Sequence, residues 1–299
     1  MIQKIVKKIG EIMLCPLVFL MALAVMYLAQ SVVMLPAYII AGMKAGAQGI
    51  TEEAALLELT AQTTMKMVPY SILATHLAFI LVFGLWYRKI CKDSDEKKAD
   101  FRNIFRRKNL AGMICIGIGS CYALNMGMEV VLPLIPSDIL ESYMNLMEQA
   151  QIGVNPVSIF AATILAPIGE EFIYRGVLFH FARKVTENMK DKRVVFWIAN
   201  IIQAVFFGAS HLNIFQGVYA FVIGLLIGYV AYRCKSVLPA ILVHLIFNVL
   251  SVLTAPILME ILSYYSNYYY VTLGVFLMMI ILGVYLLNES GFPKKDKEE

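Results

Sequence analysis

Eight apolar stretches, each long enough to cross a lipid bilayer, constrain this chain more than any other feature. A hydrocarbon core about 30 Å thick needs about 20 apolar helical residues. Such runs lie at 12–41, 68–87, 110–131, 156–179, 194–212, 215–232, 237–257 and 268–287. Backbone polar groups in lipid must be satisfied within the segment, so the runs are read as helices. The expected fold is an all-α, polytopic membrane protein with about eight transmembrane helices.

Composition agrees. Apolar residues make up 60% of the 299 and charged residues 15%, with a mean hydropathy of +0.73. A soluble domain carries about 25% charged residues, and a disordered chain would be poor in apolar ones. The net charge of +4 calls for no nucleic-acid partner. Five scattered cysteines, Cys15, Cys91, Cys115, Cys121 and Cys234, form no Cys-x-x-Cys pair, so neither a disulfide framework nor a thiolate zinc site is suggested.

Loop charge sets an orientation. Lys4, Lys7 and Lys8 precede the first run, the 88–108 loop holds nine basic and four acidic residues, and 180–193 is again basic. The 135–155 segment has Asp138, Glu141 and Glu148 and no Lys or Arg, and 43–67 is slightly acidic. Positive charge marks the cytoplasmic side, so both termini are expected there. The start, with Ile2, Ile5, Val6 and Ile9 opposite the lysines, reads as an interfacial helix. The first run reads as an anchor, with Pro36 marking a bend, and the tail 291–299 as solvated and disordered. The chain divides into three regions: N-terminal helices at 1–155, a polar core at 156–257, and a last helix with its tail at 258–299. Ala220, Gly224 and Gly228, spaced by four, offer either a close helix contact or the ordinary glycine usage of membrane helices.

An ionisable residue inside a bilayer costs at least about 2.5–3.5 kcal/mol, so such residues should be paired or face water. Here they gather in the fourth, fifth and seventh runs. PIGEEFIYRG carries Glu170, Glu171 and Arg175 behind Pro167 and Gly169, where a helix can kink. At 100° per residue Glu171 and Arg175 share a face one turn apart, whereas Glu170 points elsewhere. Arg175 would then neutralise Glu171 and leave Glu170 as a base. Phe207 and His211 lie one turn apart, as do His244 and Asn248. A neutral imidazole serves as base, ligand or donor near pH 7, and an amide N–H can face an oxyanion. His76, alone in the second run, reads as structural, Glu129 as interfacial, and His180 as snorkelling at the end of the fourth run. Asn200, Gln203 and Gln216 either line the same cavity or satisfy helix contacts.

Among intramembrane chemistries, paired aspartates and His-Glu-x-x-His are absent from the runs. Gly208-Ala209-Ser210 with a later histidine resembles rhomboid proteases, but His211 stands where glycine is usual there. Another family accounts for all three clusters. Glu-Glu-x-x-x-Arg (Glu170, Glu171, Arg175), Phe-x-x-x-His (Phe207, His211) and His-x-x-x-Asn (His244, Asn248) resemble, in order, the motifs of the CAAX protease and bacteriocin-processing family. These are intramembrane proteases also called type II CAAX prenyl endopeptidases. The resemblance spans about 156–257.

It implies peptide-bond hydrolysis within the bilayer, on a membrane-associated peptide or protein. In one version Glu170 deprotonates a water held with His211, Asn248 and His244 stabilise the oxyanion, and Glu171 and Arg175 hold the geometry with no obligatory metal. In the other, His211, His244 and Glu170 hold Zn²⁺, which activates the water. The overall flavour suggests a bacterial plasma membrane. A non-catalytic bacteriocin-immunity or scaffold protein of the same fold is the alternative, and a proton-coupled transporter a third reading. One difficulty is geometric. At 1.5 Å per residue His211 lies about 25 Å from the start of its run and His244 about 10 Å from the start of its own. The fifth run must therefore be tilted, displaced or broken near Gly208, or its boundary differs.

Overall fold

A computed structural model describes residues 2–93, 101–186 and 188–289. The tail 291–299, the charged residues 94–100 and the side chains of 1–9 lie outside the described part of the chain. Among the described residues there are helices and no strand. In chain order the α-helical segments are α1 (Ile2–Gln48), α2 (Glu53–Met65), α3 (Val68–Asp93), α4 (Phe101–Ile104), α5 (Arg107–Val131) and α6 (Ser137–Ala150). They continue with α7 (Pro156–Phe160), α8 (Ala166–Glu171), α9 (Phe179–Val185), α10 (Lys192–Ala209) and α11 (Ile214–Cys234). The last three are α12 (Val237–Leu253), α13 (Ala255–Tyr264) and α14 (Tyr269–Glu289).

Seven helical units are long and apolar enough to cross a membrane, and the α12–α13 pair makes an eighth. The chain is an integral, all-α membrane protein, as the apolar runs require. Their boundaries differ at three places. The first helix is continuous through Pro16 and Pro36 from Ile2 to Gln48, about 70 Å of helix. The seventh run is not one straight span: α12 stops at Leu253 and α13 leaves at 53°. Pro256 accounts for the break, because a proline lacks the N–H that would continue the helical ladder and is well placed in the first turn of a new helix. The fifth run ends at Ala209 rather than Leu212, which lifts His211 off the helix.

The fourth span, Pro156–Val185, is the most irregular. Between α7 and α8 lies a π-helical turn, Ala161–Leu165, and between α8 and α9 a second, Phe172–Leu178. Pro167 enters just after the first; its ring would clash with the carbonyl four residues back in a regular helix, and a wider turn relieves this. Such π-turns recur at functional sites. Close approach of α3 to this span is permitted by Gly169, where a Cβ would come within 2.9 Å of the Phe79 side chain and 3.3 Å of the His76 carbonyl.

The Ala220–Gly224–Gly228 face is a true helix contact. A Cβ on Gly224 would meet Phe207 and Ala204 of α10 at 3.1 and 3.2 Å, and one on Gly228 would overlap Asn200 Oδ1. Asn200 and Gln203 are fully buried in this seam. They donate to the Leu225 and Gly224 carbonyls at 3.0 Å each. Helix contact is therefore what these two amides serve.

Candidate functional site

The polar core is built from α8 with its following π-turn, the end of α10, α11 and α12. The Glu171 side chain is fully buried. Its Oε1 accepts from Arg175 Nη1 at 2.6 Å and from His244 Nδ1 at 2.8 Å. A carboxylate can only accept, so Nδ1 of His244 carries a hydrogen and Nε2 faces away. Arg175, also fully buried, sends Nη2 to the Gly224 carbonyl at 3.1 Å and stacks its guanidinium 4.5 Å above the Phe207 ring. The pairing expected from the i, i+4 spacing is present, and it ties three helices together.

Glu170 points out of this pair, as the arithmetic of the helix predicts. Its side chain keeps 18% exposure, and Oε2 lies 3.8 Å from Nε2 of His244. That is too long for a hydrogen bond. The two residues therefore face one another across a gap at the edge of the buried network. The expectation that Glu170 works beside His211 is altered here: the imidazole it faces is that of His244.

His211 lies in the turn after α10. Its Nδ1 is 2.9 Å from the Phe207 carbonyl, which can only accept, so Nδ1 is the donor and Nε2 is left as an acceptor. The Phe207 ring touches both imidazoles edge-on, with centroids 5.2 Å from His211 and 5.7 Å from His244. The early end of α10 thus resolves the depth mismatch. His211 is no longer one more helical step away from the core but is folded back against the ring that His244 also meets. The turn is tight because Gly208 and Gly217 abut; a Cβ on Gly208 would sit 2.6 Å from the Gly217 carbonyl.

Asn248 is on the same helix as His244, and its Nδ2 donates to the Ala162 carbonyl at 2.9 Å. Ala162 belongs to the first π-turn, whose loosened ladder leaves a carbonyl for that amide. One of the two amide hydrogens is committed to this bond and the other remains.

Metal binding is the other reading of His211, His244 and Glu170. Among the described residues no three His, Cys, Asp or Glu side chains are gathered as a metal ion would require. Nδ1 of each imidazole is engaged by a carbonyl or a carboxylate, which leaves Nε2 of each as the available donor.

Several neighbours of the site carry no motif. Tyr174, one turn from Glu170, is buried with its ring against Phe207, centroids 5.1 Å apart. Tyr219 of α11 and Tyr143 of α6 both pack against Phe215, with ring centroids 6.2 and 4.8 Å away. His76 sits at the Gly169 contact, within electrostatic range of His211 and His244, and its buried Nδ1 has no hydrogen-bond partner. The spacing of four between Glu170 and Tyr174 is visible in the sequence; the approach of α3 and α6 is not.

Apolar helices enclosing two carboxylates, an arginine and two imidazoles define an integral membrane protein with a buried polar centre. Residues 153–250, about a third of the chain, match the family model described as Type II CAAX prenyl endopeptidase Rce1-like, a protease family. Neither a curated protein nor a solved structure matches the chain.

Proposed function

We propose that this protein is an intramembrane endopeptidase that hydrolyses a peptide bond of a membrane-associated peptide or protein. The observation that carries the reading is the unequal pair of adjacent glutamates. Glu171 is sealed between Arg175 and His244, whereas Glu170 keeps a partly exposed carboxylate facing Nε2 of the same histidine. Two carboxylates in neighbouring but different environments are what separates a structural charge from a working base.

The chemistry rests on these placements. Glu170 takes a proton from a water in the gap it shares with Nε2 of His244, with Nε2 of His211 as a second acceptor. The resulting hydroxide attacks the scissile carbonyl. The uncommitted amide hydrogen of Asn248 faces the developing oxyanion, while His244, its Nδ1–H held by Glu171, keeps Nε2 turned toward Glu170. Collapse of the tetrahedral intermediate breaks the C–N bond, and the proton on Glu170 passes to the leaving amine. No step needs a metal. Substrates consistent with the family match are prenylated C-terminal segments and precursors of secreted or membrane peptides.

The test is mass spectrometry of membrane peptides from cells carrying the wild-type chain or Glu170→Gln. A peptide cleaved only by the wild type supports the reading. Biological function retained by Glu170→Gln would instead favour a binding or immunity role for the same fold.

A further inference from the structure

A groove of about 790 Å³ lies between α1, α6 and the α10–α11 turn. This is within the range of pockets that bind ligands, about 300–1,000 Å³. One wall is α1, including Gln30, which with Ser31 interrupts the apolar run 12–41. The opposite wall is α6, which presents Asp138, Glu141 and Asn145, and the floor is the α10–α11 turn with His211. The same imidazole therefore belongs to the candidate site and to the groove.

The turn that forms the floor is shaped for this position. Leu212 adopts a left-handed backbone, φ 54°, unusual for a non-glycine residue. It points an exposed side chain away from the core and leaves His211 folded inward. The α6 helix has no buried residue. It is docked through Tyr143, whose ring lies 4.8 Å from Phe215. Its polar side chains are thus free to face a ligand.

Charge defines the ligand. The groove is lined by two carboxylates and by no Lys or Arg. From Ala111 to Tyr174 the sequence contains no basic residue at all, so nothing on α6 or its flanking segments cancels them. Amide groups of Gln30 and Asn145 can meet a peptide backbone, and carboxylates at the mouth attract positive side chains.

We infer that this groove is where the substrate peptide reaches His211, and that it selects a cationic segment, read by Asp138 and Glu141. Binding in the groove stands independently of the proteolytic reading; only the cleavage of the bound peptide rests on it. The substrate approaches from the α6 face, with Lys or Arg side chains at the mouth and the scissile region next to the α10–α11 turn.

Binding is measured with full-length Glu170→Gln protein in phosphatidylcholine nanodiscs, whose neutral lipid adds no charge of its own. The probe is a fluorescent 16-residue amphipathic peptide bearing four lysines and no acid, compared with its Lys→Glu counterpart. Asp138→Asn/Glu141→Gln is expected to weaken the lysine peptide by about tenfold or more, with the effect fading as salt screens it. Asp138→Lys/Glu141→Lys is expected to bind the glutamate peptide instead. A photo-crosslinker at Asn145 should capture the bound peptide. Affinity unchanged in both charge variants, or no crosslink from Asn145, overturns the inference. Charge-dependent binding together with no cleavage by the wild type would remove the protease reading and leave the groove as a peptide site; cleavage with charge-blind binding would do the reverse.

Discussion

Nδ1 of His244 and Oε1 of Glu171, 73 residues apart in the chain, meet at 2.8 Å with both side chains buried. The same oxygen takes Arg175 at 2.6 Å. One carboxylate oxygen therefore fixes the orientation of an imidazole and the position of a guanidinium, and its neighbour Glu170 is left facing the gap. This division sets the behaviour expected of most variants.

Glu170→Gln keeps the shape of the side chain and removes its basicity. Hydrolysis is expected to fall by about 10²–10⁴-fold. The thermal unfolding temperature should hardly move, because the nearest ionisable group, the His244 imidazole, is 3.8 Å away and the carboxylate is partly exposed. A large loss of stability would show that Glu170 is structural.

Arg175→Met removes the cation and strands a buried carboxylate. Breaking one partner of a buried pair costs about 3–5 kcal/mol. The midpoint of unfolding in detergent should drop, and activity with it, since His244 loses its fixed neighbour. Arg175→Lys is expected to recover only part, because an ammonium cannot reproduce the fork that reaches both Glu171 and the Gly224 carbonyl.

Gly228→Ala tests the seam between α10 and α11. The added methyl would overlap Asn200 Oδ1 and lie 2.6 Å from Gln203 Nε2, and both amides are fixed by hydrogen bonds. Overpacking of this kind costs about 1–3 kcal/mol. Gly274→Ala in α14, where no atom lies within 4 Å of the new methyl, should be neutral. Equal thermal shifts for the two variants would contradict the packing described.

Exhaustive chelation is expected to leave proteolysis intact, because Glu170 as base and the free amide hydrogen of Asn248 as oxyanion donor need no metal. The measurement is cleavage rate before and after dialysis against a chelator. Loss of activity that Zn²⁺ restores would require the imidazoles to regroup and would overturn the metal-free mechanism.

Much of this is legible in the residues alone, and the reason is that the signals are local. Hydropathy over about 20 residues marks a span whatever the neighbours do, so all eight candidate crossings could be placed. The four-residue spacing of Glu171 and Arg175 predicts their pairing because it depends only on helical pitch. The separation of Glu170 from that pair comes from the same pitch. Charge along the 135–155 segment is visible as well, although nothing in it shows that α6 faces His211.

Tertiary structure alone decided how residues distant in sequence meet. Upright helices would have kept His211 and His244 apart; the stop of α10 at Ala209 and the Gly208–Gly217 contact brought both against Phe207. Whether Asn200 and Gln203 lined a cavity or joined helices turned on the depth to which Gly224 and Gly228 let α11 approach. The partner of Asn248 was settled by a π-turn that freed the Ala162 carbonyl. Each of these depends on close packing between segments, a many-body property that no single stretch of sequence contains.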